Sequence, residues 1–76
     1  MNKYIFNLIW RNKLENIQTE IGYSIACNDE QTARERAFET AMKIHKNMCM
    51  KDKNFSSEWY YSRIELKYIV PNYSQQ

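Results

Sequence analysis

Apolar residues recur along this chain with two different periods, and the change of period divides it into elements. From Lys3 to Arg11 the pattern alternates, with Tyr4, Phe6, Leu8 and Trp10 on one face and Lys3, Ile5, Asn7, Ile9 and Arg11 on the other. Strict alternation is the mark of a half-buried strand. Asn12–Gln18 is polar and turn-like. Alternation returns over Thr19–Cys27, where Thr19, Ile21, Tyr23, Ile25 and Cys27 face inward. Gly22 falls on the outer face of this second strand, where it marks a bulge or a close backbone approach. The two strands form an antiparallel hairpin with a loop of about seven residues.

At Asp29 the period lengthens. Ala33, Ala37, Ala41, Ile44 and Met48 recur every three or four residues, one face of a helix over Asp29–Met50. Phe38, His45 and Cys49 flank that face. Asn28 is placed to cap this helix, with Gln31 returning a bond. Asp29 and Glu30 in the first turn, and Lys46, Lys51 and Lys53 at the far end, complement the helix dipole. Glu39 and Lys43 are spaced for an i,i+4 pair. Lys51–Ser57 reads as a loop, and Glu58–Val70 as a third strand. Tyr60, Ile64, Leu66, Tyr68 and Val70 form one face of that strand, and Trp59, Tyr61, Arg63, Glu65, Lys67 and Ile69 the other. Such a strand is long for a globular protein, and either a bend near Ser62 or a first part that pairs with something else is expected.

These elements predict an α+β fold of ββαβ type. Its three-stranded antiparallel sheet has order 2-1-3, with the most apolar strand central and one helix packed on one face. The alanine face lets the helix approach closely, so the strands supply the bulk. Residues 1–70 form a single domain and 71–76 a loose tail.

Composition adjusts this picture in few places. The chain has 76 residues, and six Tyr, three Phe and two Trp supply a small core. A net charge of +2 is low for a protein that binds nucleic acid through the phosphate backbone alone. The start reads as no signal peptide and no run is long enough to cross a membrane, so a cytoplasmic protein is expected. Cys27 and Cys49 lie at opposite ends of the helix, about 33 Å apart at about 1.5 Å per residue, so both are expected as free thiols.

Candidate chemistry is sparse. His45 and Cys49 are spaced as metal ligands, but no third ligand joins them. One glycine rules out a glycine-rich phosphate loop, and no residues stand at triad spacing near the single histidine. The reading is a non-enzymatic binding domain with no cofactor. The sheet face that one helix leaves open carries Ile5, Ile9, Trp59, Tyr61 and Ile69, ringed by Lys3, Arg11, Arg63, Glu65 and Lys67. A patch of this kind marks an interface; the plainer reading is that a small protein leaves some aromatics partly exposed, or that the facing of the third strand is inverted. The predicted partner-binding set is Trp59, Tyr61, Arg63, Lys67, Ile5, Ile9 and Arg11, with Lys43 and Lys46 at the basic helix end. The partner is another protein; nucleic acid stacked on the open-face aromatics, or a second copy paired through the face or an edge strand, are the alternatives.

Tyr4-Ile5 in the first strand, Ala26-Cys27-Asn28 closing the second, Ala33-Arg34 and Ala37 in the helix and Arg63-Ile64-Glu65 in the last strand follow in an order that resembles the anti-CRISPR proteins. These are small phage and mobile-element inhibitors of bacterial CRISPR complexes. The resemblance implies an inhibitor that acts in the host bacterial cytoplasm on a CRISPR effector subunit. Many such inhibitors are acidic DNA mimics, whereas this chain is slightly basic. The resemblance therefore implies masking of a DNA-contacting protein surface rather than imitation of DNA.

Overall fold

A computed structural model of the chain describes residues 1–73. Three strands, β1 (Asn2–Asn12), β2 (Gln18–Cys27) and β3 (Trp59–Val70), form one antiparallel sheet of order β2-β1-β3. Helix α1 (Glu30–Lys51) crosses one face of the sheet, and a single turn, α2 (Phe55–Glu58), precedes β3. This is the α+β, ββαβ-like arrangement that the two periods predict, with α2 added inside the expected loop. The tail residues 74–76 lie outside the described residues. Pro71–Tyr73 turn back on the sheet, where the Asn72 N–H donates to Asn2 Oδ1 at 3.2 Å.

The core forms where β1 meets α1. Tyr4, Phe6, Leu8 and Trp10 are buried, as are Ala33, Ala37 and Ala41 on the helix. Methyl groups let the helix axis come close, and the large β1 side chains fill the layer between. Tyr23, Ile25 and Cys27 extend the core across β2, in the phase their alternation predicts. Gly22 makes neither a bulge nor a close approach. It pairs regularly with Asn7, and a Cβ there would meet nothing within 4 Å.

Asn12 organises the loop after β1, accepting at Oδ1 from the Leu14 and Glu15 N–H groups at 2.8 and 2.9 Å. Lys13 ties this loop to α2, its N–H donating to Glu58 O and its Nζ to Ser56 O.

The helix cap falls one residue later than its sequence predicts. Asp29, not Asn28, is the N-cap, and its carboxylate takes both the Thr32 N–H at 2.8 Å and the Thr32 hydroxyl at 3.1 Å. Asp29 is in extended conformation and carries a charge, so it satisfies the free N–H groups better than a neutral amide. The helix ion pair is Glu30–Arg34 at 2.9 Å rather than Glu39–Lys43.

The buried stripe also turns near the helix end. Met48 is exposed, whereas His45 and Cys49 turn inward. Phe55 of α2 causes this. It inserts beneath the last turns, its ring centroid 5.4 Å from that of His45. His45 Nδ1 in turn accepts the indole N–H of buried Trp10 at 3.1 Å, which satisfies the one polar atom of that side chain.

Candidate functional site

Strand β3 decides which side chains the open face presents. Its register against β1 slips twice. Ile9 and Trp10 face Arg63 and Tyr61, which leaves Ser62 unpaired; Ile5 and Phe6 face Tyr68 and Leu66, which leaves Lys67 unpaired. Each slip is a bulge, and each reverses the in-out phase of the strand. Ile64 and Leu66 face the helix as predicted, but both ends of the strand are inverted. Trp59 and Tyr61 lie on the helix side, opposite Asn12 and Trp10. Tyr61 packs edge-on against both Trp10 and Phe38 at 5.8 Å, and burial pushes its phenol above the ordinary value. Ile69 sits opposite Tyr4 on that same side, while Tyr60, Tyr68 and Val70 belong to the open face.

The predicted partner-binding residues therefore separate. Trp59 and Tyr61 are core-side aromatics. Lys43 and Lys46 are exposed on α1, across the molecule from the open face. Ile5, Ile9, Arg11 and Arg63 do lie on the open face, with Lys67 on its bulge. Ile9, however, is 0% exposed although no helix covers it. Its direct cross-strand neighbours are Glu20 and Arg63, long side chains whose aliphatic stems shelter it. Glu20 is held in place by Asn7 Nδ2 at 3.1 Å and Gln18 Nε2 at 3.2 Å, and Arg63 is held by Glu65 at 2.8 Å. Ile9 is thus removed from any contact surface. The middle of the open face is a polar canopy rather than an apolar patch.

What the face offers lies on either side of this canopy. At one end Tyr60, 42% exposed, stands opposite Arg11, whose guanidinium is anchored on Asn16 Oδ1 at 2.8 Å. At the other end Tyr68, 57% exposed, stands opposite Ile5, which in turn faces Ser24. Lys3 completes this end, its ammonium 5.1 Å from the centroid of the Tyr73 ring. Lys3, Ser24, Ile25, Ala26 and Tyr73 line an open hollow of about 340 Å³. Small side chains at Gly22, Ser24 and Ala26 keep its β2 side low. Tyr60, Tyr68, Ser24 and Tyr73 are absent from the sequence-derived set. The available signal was the length of β3 together with Trp59-Tyr60-Tyr61, a run whose lack of alternation leaves its phase undefined.

Among the described residues no group of three or more His, Cys, Asp and Glu side chains converges as a metal site. Among the same residues no helix is long and apolar enough to cross a membrane. Cys27 and Cys49 are free and half-buried. Comparison of the chain with protein-family models, curated proteins and solved structures yields no match.

Proposed function

We propose that this chain is a non-enzymatic binding domain that engages an acidic protein surface through the open face of its sheet. The observation that carries this reading is the pairing of exposed tyrosines with cations on one rigid face: Tyr68 with Lys3 and Lys67, and Tyr60 with Arg11. Tyrosine and arginine are the side chains that most often anchor protein interfaces, because they bury large area and keep a polar tip. The CRISPR-effector inhibitor that the sequence resemblance implies falls within this class, and the cations suit an acidic patch beside a DNA-contacting surface rather than that basic surface itself.

The test is a pull-down from bacterial lysate and from purified CRISPR effector complexes, comparing the native chain with a Tyr68→Ala/Lys67→Glu variant. A protein retained by the native chain and lost by the equally stable variant supports the reading. Identical capture by both removes the open face from consideration. The same tyrosines and cations favour one second reading, stacking of single-stranded nucleic acid. Salt-sensitive retention of a labelled oligonucleotide, lost with Tyr68→Ala, would select it.

A further inference from the structure

The two edges of the sheet are unlike. Edge strand β3 carries two bulges together with Arg63, Glu65 and Lys67, the devices that blunt an edge against pairing. Edge strand β2 carries none of them. Its register with β1 runs unbroken from Gln18 to Cys27, it has no proline or lysine, and Glu20 is its one charge.

The direction of the free backbone groups on β2 follows from its hairpin. The Asn12 N–H donates to Ile17 O at 3.0 Å, which extends the β1–β2 register one pair past Arg11 and Gln18. Bonded pairs alternate along an antiparallel ladder, so Thr19, Ile21, Tyr23 and Ile25 turn their N–H and C=O groups to β1. Gln18, Glu20, Gly22, Ser24 and Ala26 turn theirs outward, where no other strand among the described residues meets them. Three of these five residues have the smallest side chains on the strand, so the approach of another backbone is unobstructed.

We infer that β2 is the pairing edge of a symmetric dimer, in which two copies of this chain join their β2 strands antiparallel about Gly22. This contact is separate from the open-face reading above. In this register Gly22 meets its own copy, Glu20 meets Ser24 of the second copy, and Gln18 meets Ala26. On the helix side Ile21, which is 37% exposed, meets Tyr23 of the second copy, and Thr19 meets Ile25. The arrangement is self-complementary in charge. Glu20 never opposes itself, and the residue across from it presents a hydroxyl that can donate to its carboxylate. Side chains directly opposed in this way, together with the outward N–H and C=O groups, are what stabilise an added strand. The product is a six-stranded sheet of order β3-β1-β2-β2-β1-β3 with both helices on one side.

Gly22 supplies the test. Its missing Cβ faces open space, so Gly22→Lys leaves the monomer intact but sets two like charges face to face across the two-fold axis. Sedimentation equilibrium of the native chain is expected to show two subunits, and Gly22→Lys to weaken association by about tenfold or more with unchanged circular dichroism. With Cys27 and Cys49 replaced by alanine, Gly22→Cys is expected to oxidise to a disulfide-linked dimer, because bonded antiparallel partners lie about 5.5 Å apart at Cα. A native chain that keeps the mass of one subunit up to about 1 mM overturns the inference and leaves the edge to an extended segment of another protein. A dimer indifferent to Gly22→Lys, or one that Gly22→Cys fails to cross-link, overturns it by moving the contact elsewhere.

Discussion

Two side chains near the helix ends show how much of this fold rests on single polar contacts. His45 offers Nδ1 to the buried indole of Trp10 and its ring to Phe55. The proton of a neutral His45 must therefore sit on Nε2. His45→Ala leaves the Trp10 N–H without a partner and opens space beside Phe55, and is expected to lose about 1–3 kcal/mol in urea unfolding. His45→Gln, which can restore an acceptor, should lose less; equal losses from the two would assign the effect to packing alone. Asp29 behaves differently because it titrates. The Thr32 N–H, then the Thr32 hydroxyl, hold its carboxyl below the ordinary value of 3.8. A carboxylate with a depressed folded pKa contributes stability that is fully present above that value and disappears as pH falls through the folded one. Thermal melts in an acid series should show this contribution fading below pH 3.8 in the native chain, and Asp29→Asn should remove it. A native chain and variant with parallel pH profiles would deny Asp29 the role. The sequence had already placed a cap at this point, but Asn28 and Asp29 are both competent cap residues, and only backbone conformation chooses between them.

At the scale of elements, legibility followed the cleanness of the alternation. In β1 four large apolar residues alternate without exception, and in β2 the odd positions do so nearly as well. Their phase, their hairpin and their side of the sheet were all readable, as was the alanine stripe that fixes α1 against them. Strand β3 was not readable in the same way. Its even-numbered face is correct for Ile64 and Leu66, yet a single phase cannot describe a strand that reverses twice. The short helix α2 escaped notice because FSSE has no periodicity to detect, although Phe55 was the lone large apolar residue in a polar stretch. The bulge at Ser62 gives a direct test of this account. Deleting Ser62 removes the one residue without a partner there, so Trp59, Tyr60 and Tyr61 keep Asn12, Arg11 and Trp10 opposite them in an unbroken ladder. The variant is expected to keep a cooperative thermal transition within about 1 kcal/mol of the native chain. Ser62→Ala keeps the residue count and should stay within about 0.5 kcal/mol of the native chain. A deletion variant that loses its cooperative transition would show that Ser62 is not the extra residue of the ladder.

At the scale of the whole molecule, sequence periodicity gave the layers and their order, while the working surface depended on contacts that no period encodes. Ile9 looked like part of an exposed patch because its alternation puts it on the uncovered side. Its burial comes from Glu20 and Arg63, which are far from it in sequence and beside it only in the folded register. The reverse holds for Tyr68, assigned to the core by alternation and carried outward by the bulge at Lys67. The basic helix end, with Lys43 and Lys46, and the cations of the sheet face lie on opposite sides, so they act on different neighbours. What the sequence reading located correctly was the side of the sheet left uncovered; what it misplaced was which aromatics stand there.

The paired bulges carry one more consequence. Ser62 and Lys67 each add a residue with no partner on β1, so the register slips twice in the same direction while the in-out phase flips and then flips back. They are like two spare links in a chain: the 12 residues of Trp59–Val70 run alongside the shorter stretch Lys3–Asn12 and still meet both of its ends. Either link can be withdrawn without disturbing the links beside it. A single deletion elsewhere in β3 has no such slack, and would carry side chains from one face of the sheet to the other.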